Sequence, residues 1–93
     1  MKNWYLYIIE TQQGKLYTGI TVDVPRRFKQ HINGTGAKFF RIDKPKTIQY
    51  VLMMDDRSSA LKREAAIKKL NVKQKRALIE QRAESEYYAL TVE

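Results

Sequence analysis

The chain has 93 residues, no cysteine, and 18 Lys and Arg against 10 Asp and Glu, for a formal net charge of +8. That length supports one hydrophobic core and excludes a second folded module, and the absence of cysteine excludes a disulfide framework, a thiolate metal site and a cysteine nucleophile, which suits a reducing cytoplasm. The charge is the footprint of a polyanionic partner, nucleic acid ahead of an anionic membrane surface, while no apolar run reaches the ~18 residues of a membrane span and Glu10 stands where a signal peptide needs its cleavage site, so neither a spanning nor an exported protein is expected.

In chain order, Trp4 to Thr11 and Leu16 to Thr21 are rich in aromatic and β-branched residues, and Gln12, Gln13, Gly14 and Lys15 between them supply a hairpin turn. Asp23 is placed to cap a helix that starts at Val24, tolerates Pro25 in its first turn, carries an apolar stripe of Val24, Phe28 and Ile32, and ends at Gly34. The following segment, GTGAKFFRIDKP, reads as a loop, and Lys46 to Met54 as a third strand. Asp55 and Asp56 open a second helix from about Arg57 to Leu70. Asn71 with Gln74 three residues on forms a capping box for a third helix reaching about Arg82. The expected fold is α+β, with a small, mainly antiparallel three-stranded sheet flanked by helices in the order β-β-α-β-α-α. The domain is expected over residues 1–83, with 84–93 as a C-terminal tail.

Alternation places Leu6 and Ile8 on one face of the first strand and Tyr5, Tyr7 and Ile9 on the other. A three-residue loop pivoting on Gln13 sets Tyr17 opposite Ile9 and Gly19 opposite Tyr7, so that both tyrosines share a face and Gly19 leaves an open patch beside Tyr7. A two-residue loop of Gln13 and Gly14 puts them on opposite faces, and tyrosine is in any case a good strand former whose hydroxyl can simply reach solvent. Arg27 and His31, at i and i+4, flank the apolar stripe near the edge of the core, where they form either a phosphate site or a solvated helix face. Glu64 falls among Ala60, Leu61 and Ile67. A carboxylate in an apolar stripe needs a reason: either an i, i+4 pair with Lys68 that lifts both groups to the surface, or a role as a Mg²⁺ ligand.

Taken together, YLY (Tyr5 to Tyr7), YTG (Tyr17 to Gly19), Arg27, His31 and Glu64 resemble, in order and spacing, the GIY-YIG nuclease domain, over about residues 4 to 80. The segments KLYTGIT, the RR pair before His31, GTGAK, and DRS followed by AL are similar to its small single-domain bacterial members. The resemblance implies a phosphodiesterase that cleaves DNA with a single Mg²⁺ or Mn²⁺. Tyr7 and Tyr17 would activate and position the attacking water, Arg27 would neutralise the scissile phosphate, His31 matches a helix histidine of several branches, and Glu64 would bind the metal. Tyrosine ionises near ~10, so a nearby arginine and cation are needed to make a phenolate accessible.

The match has gaps. Tyr5 replaces the glycine of the first motif, Thr18 the isoleucine of the second, and Ile20 a lysine of the excision-repair members; the downstream asparagine of some branches has no counterpart, and no DNA-binding domain is attached. Lys38, Arg41 and Lys44, in and after the Gly-rich loop, are candidates for phosphate-backbone contacts with DNA, or with RNA. Two other readings remain open here: a catalytically weak nucleic-acid binding module, and an adaptor that works through a protein partner.

Overall fold

A computed structural model of the chain describes residues 2–81. The first two strands, β1 (Trp4–Thr11) and β2 (Leu16–Thr21), form a hairpin that pairs Ile9 with Tyr17 and Tyr7 with Gly19. This is the three-residue loop register. Thr11 N–H donates to the Lys15 carbonyl at 2.9 Å, and Gly14 closes the loop with φ +82°, a conformation that suits glycine because it has no Cβ. The turn is held from two sides. Asp43 Oδ1 accepts from Gln13 N–H at 3.1 Å, and Arg76 donates to the Gly14 carbonyl at 3.0 Å while pairing with Glu10 at 2.9 Å.

After the hairpin come α1 (Val24–Ile32), a one-turn α2 (Phe39–Ile42), β3 (Pro45–Met54), α3 (Arg57–Lys68) and α4 (Val72–Glu80). β3 pairs antiparallel with β1, giving the sheet order β2-β1-β3. The α+β expectation holds, with α2 as an addition: four helical residues between a glycine and a proline are too few to show periodicity. α3 stops two residues short of the expected end. The expected end of the last helix at Arg82 and the tail 84–93 lie outside the described residues.

Local chemistry accounts for the helix ends. Asp23 accepts from Arg26 N–H and Asp56 from Ser59 N–H, while Asn71 and Gln74 make both bonds of a capping box, an arrangement worth about 1 kcal/mol. α1 finishes with Thr35 N–H on the Gln30 carbonyl and Gly34 N–H on that of His31, with Gly34 at φ +74°. This is the paired-bond stop that glycine makes cheap.

Two apolar layers sandwich the sheet. Tyr7, Ile9, Ile48 and Val51 pack with Val24 and Phe28 of α1 and Phe40 of α2. Leu6 and Ile8 pack with Ile67 of α3 and Ile79 of α4. A register shift between Ile8 and Ile9 explains how Ile48 and Val51, three apart, reach the same layer: Ile8 pairs with Tyr50 and Ile9 with Ile48, so Gln49 is the extra residue of a bulge. Among the described residues no helix is long and apolar enough to cross a membrane.

Candidate active site

The α1 stripe differs from expectation at the residue that matters most. Ile32 is only half-buried, and His31 occupies the third apolar position with Val24 and Phe28, at 0 % exposure. His31 is therefore in the core, not at its edge. Its Nε2 lies 2.8 Å from the hydroxyl of Tyr7, which is itself buried. This pairing answers the cost of a polar ring in an apolar layer, since buried polar groups are retained only when bonded.

Aromatic rings enclose the pair. The Tyr17 ring lies 6.3 Å from that of Tyr7 and 5.5 Å from that of His31, and Phe40 sits 4.4 Å from His31 and 4.8 Å from Tyr17. Phe39, more exposed, covers Tyr17 at 5.4 Å. The short α2 thus supplies two walls from a segment whose sequence reads as a loop. Glycines close both ends: a Cβ on Gly19 would stand 2.5 Å from the Tyr7 hydroxyl, and one on Gly36 would stand 2.6 Å from His31 Nδ1. The expected open patch beside Tyr7 is instead filled by the Tyr7 ring. Gly36 was legible only as part of a Gly-rich run; its close approach to His31 depends on packing across the fold.

Burial lowers His31 from 6.5 to about 4, and the charge of Arg27 adds to the effect. The ring is neutral at pH 7, with one nitrogen a donor and the other an acceptor. Nδ1 is buried without a partner. The tautomer sets which partner donates in the Tyr7–His31 bond: either Tyr7 O–H donates to Nε2 and Nδ1 carries the proton, or Nε2–H donates to the Tyr7 oxygen. Burial also pushes the Tyr7 phenol above its usual range, as does Tyr17; Arg27 beside it opposes the push, and Glu64 adds to it. The two charged residues from α1 and α3 therefore act on the same hydroxyl.

Arg27 is half-buried and donates through Nη1 to Gln30 Oε1 at 3.0 Å, a partner that sequence reasoning missed. Glu64 shares its face of α3 with the buried Ala60 and Ile67, whereas Leu61 is 38 % exposed and leaves the expected stripe. The Glu64–Lys68 pair forms at 3.2 Å, yet only Lys68 is at the surface: the Glu64 side chain is 18 % exposed and that of Lys68 54 %. Among the described residues no three of His, Cys, Asp and Glu converge to hold a metal ion. Lys38, Arg41 and Lys44 are all exposed, immediately before, on and after α2. They lie along the segment that walls the Tyr17 ring.

A family model described as the GIY-YIG catalytic domain matches residues 3–77. The chain belongs to the GIY-YIG family. Its relatives include a UPF0213 protein of Cupriavidus necator, 49% identical over 78 residues that cover 84% of this chain and 85% of that one. The UPF0213 protein YhbQ of Escherichia coli is 47% identical over 79 residues, 85% of this chain and 79% of the relative. The solution NMR structure of a UPF0213 protein from Bacillus halodurans superposes with a TM-score of 0.56 at 35% identity, covering 85% of this chain and 84% of that one. The three-stranded antiparallel sheet with flanking helices matches that neighbour as a GIY-YIG arrangement, and family membership points to the nuclease superfamily and to nucleic acid as partner.

Proposed function

We infer that this GIY-YIG domain is an endonuclease that hydrolyses phosphodiester bonds in DNA with one divalent cation, Mg²⁺ or Mn²⁺. The observation that carries the reading is the buried Tyr7–His31 hydrogen bond, with Tyr17, Arg27 and Glu64 grouped around its hydroxyl. A strand tyrosine whose hydroxyl merely reached solvent would not be held this way.

Each side chain has a chemical task. Tyr7 takes the proton of the attacking water, which requires its phenolate to be reachable despite burial. His31 holds the Tyr7 oxygen through its Nε2 hydrogen bond and, being resistant to protonation, serves to orient it and not as the final proton acceptor. Arg27 binds a non-bridging phosphate oxygen and favours the Tyr7 phenolate by its charge. Tyr17 orients the water. Phe39 and Phe40 limit solvent on the far side of the Tyr17 ring.

Glu64 fits the role of sole protein ligand for a hard cation, since Mg²⁺ is commonly held by one or two carboxylates together with substrate phosphate and water, and this carboxylate is largely screened from solvent. A cation bound there would supply Lewis-acid polarisation of the phosphate and stabilisation of the leaving oxygen. Lys38, Arg41 and Lys44 would contact the DNA backbone beyond the scissile phosphate.

Incubation with supercoiled plasmid, branched DNA and RNA in Mg²⁺ or Mn²⁺ tests the reading. Nicking that EDTA abolishes is the expected result. Purified protein that binds DNA but leaves every substrate intact would favour the binding module, a reading that the Lys68 contact on Glu64 supports, because it competes with a cation for that carboxylate.

A further inference from the structure

Resting on the nuclease reading, we propose that the groove at the end of β2 is a second nucleic-acid subsite, which receives one unpaired nucleobase of the strand being cut and stacks it on Trp4. The groove has a volume of about 260 Å³ and runs from Trp4 and Ile20 past Asp23 and Arg26 to Arg27 and Gln30. Arg27 belongs to both sites. An occupant of the groove is therefore the immediate neighbour of the phosphate that Arg27 binds.

Three observations select a base as occupant. The volume lies just under the ~300 Å³ at which pockets begin to hold drug-sized ligands, which is enough for one ring system. The lining is mixed in a way that suits a base. Trp4 and Ile20 are apolar, whereas Asp23 repels phosphate and accepts hydrogen bonds from the amino and imino groups of a base edge. One Asp23 oxygen caps α1 through Arg26 N–H at 3.1 Å, which leaves the second for an incoming donor. Gln30 already engages Arg27 through its Oε1, leaving its amide nitrogen to donate to a base.

Positive charge surrounds this lining. Arg26 and Arg27 border the groove, and the Arg57 guanidinium lies over one face of the Trp4 ring, 5.7 Å from its centre. An apolar, acid-bearing cleft framed by arginines is complementary to a base with its flanking phosphates. A paired base in a duplex has both faces stacked and its Watson–Crick edge engaged, so it cannot give a face to Trp4 without leaving the helix. The groove therefore favours single-stranded, flapped or gapped DNA over intact duplex.

Trp4 is the sole tryptophan of the chain, so intrinsic emission reports on this subsite alone. The test titrates the full chain in EDTA buffer with a short oligothymidine, its duplex with oligoadenine, and an abasic strand of equal length. Affinity is read separately from the anisotropy of a label on the nucleic acid. Oligothymidine should quench Trp4, and affinity should fall at least roughly 5-fold for the abasic strand and for Trp4→Leu, with an unchanged salt slope because no charge is removed. Oligothymidine binding that leaves Trp4 emission unmoved, or an abasic strand that binds as tightly, would overturn the subsite while the nuclease reading stands. Failure to bind any of the three at low salt would overturn both.

Discussion

Gly36→Ala tests whether the Tyr7–His31 pair is wedged as tightly as its surroundings imply. The added methyl would stand 2.6 Å from His31 Nδ1, 3.0 Å from Cε1 and 3.5 Å from an Arg27 nitrogen, where ordinary contact begins at 3.4 Å. Relief requires a movement of about 0.8 Å at Nδ1. The ring has little room for it. Its opposite nitrogen is 2.8 Å from the Tyr7 hydroxyl, that hydroxyl lies over Gly19, and Phe40 blocks the side at 4.4 Å. Either the hydrogen bond breaks or the 34–38 segment moves away from α1. Overpacking of this kind costs about 1–3 kcal/mol, and a displacement near 1 Å at the reacting groups lowers rate by about 100-fold. Urea denaturation and plasmid nicking measure the two effects. A Gly36→Ala protein with wild-type stability, within ~0.5 kcal/mol, and wild-type cleavage would refute the wedge.

Other consequences follow from the same geometry. Glu64→Gln keeps size but removes the charge a cation needs, so cleavage should fall at least ~100-fold, roughly 2.7 kcal/mol, with stability changed by under ~1 kcal/mol; both are read by nicking and urea denaturation. His31, the single histidine, is lowered to about 4, so the unfolded chain takes up a proton below 6.5 that the folded chain refuses. Its contribution to stability is complete above pH 6.5 and is lost as pH falls toward 4, about 3 kcal/mol in all. NMR of the lone imidazole should show no titration above pH ~5. DNA affinity should fall steeply with salt, and replacing Lys38, Arg41 and Lys44 by alanine should flatten that dependence, by about one in slope for each phosphate that is no longer neutralised.

The hairpin register was legible only down to two choices of loop; the structure takes the three-residue loop, with Gly14 at positive φ, and alternation then assigns every face. The caps at Asp23, Asp56 and Asn71 were legible because capping is local chemistry. His31 was not. On a helical wheel it falls about 20° from Val24, within the stripe, but its polarity argued for the edge. Only the Tyr7 hydroxyl, 24 residues away in sequence, makes its burial tolerable. Glu64 falls between its two readings: the Lys68 pair forms, yet the carboxylate stays largely covered. The part played by α2 was hidden because Phe39 and Phe40 act through rings brought together by tertiary packing.

The central claim is that Tyr7, held by His31, takes the proton of the attacking water, and Tyr7→Phe tests it most directly. The change removes one oxygen and leaves His31 without its partner, at a cost of about 1–3 kcal/mol in stability that urea denaturation will register. Single-turnover nicking of supercoiled DNA, under metal conditions where the wild type is active, should fall by roughly 10²- to 10⁴-fold, while anisotropy shows DNA affinity within about 3-fold of wild type. A folded Tyr7→Phe protein that nicks at the wild-type rate would contradict the account.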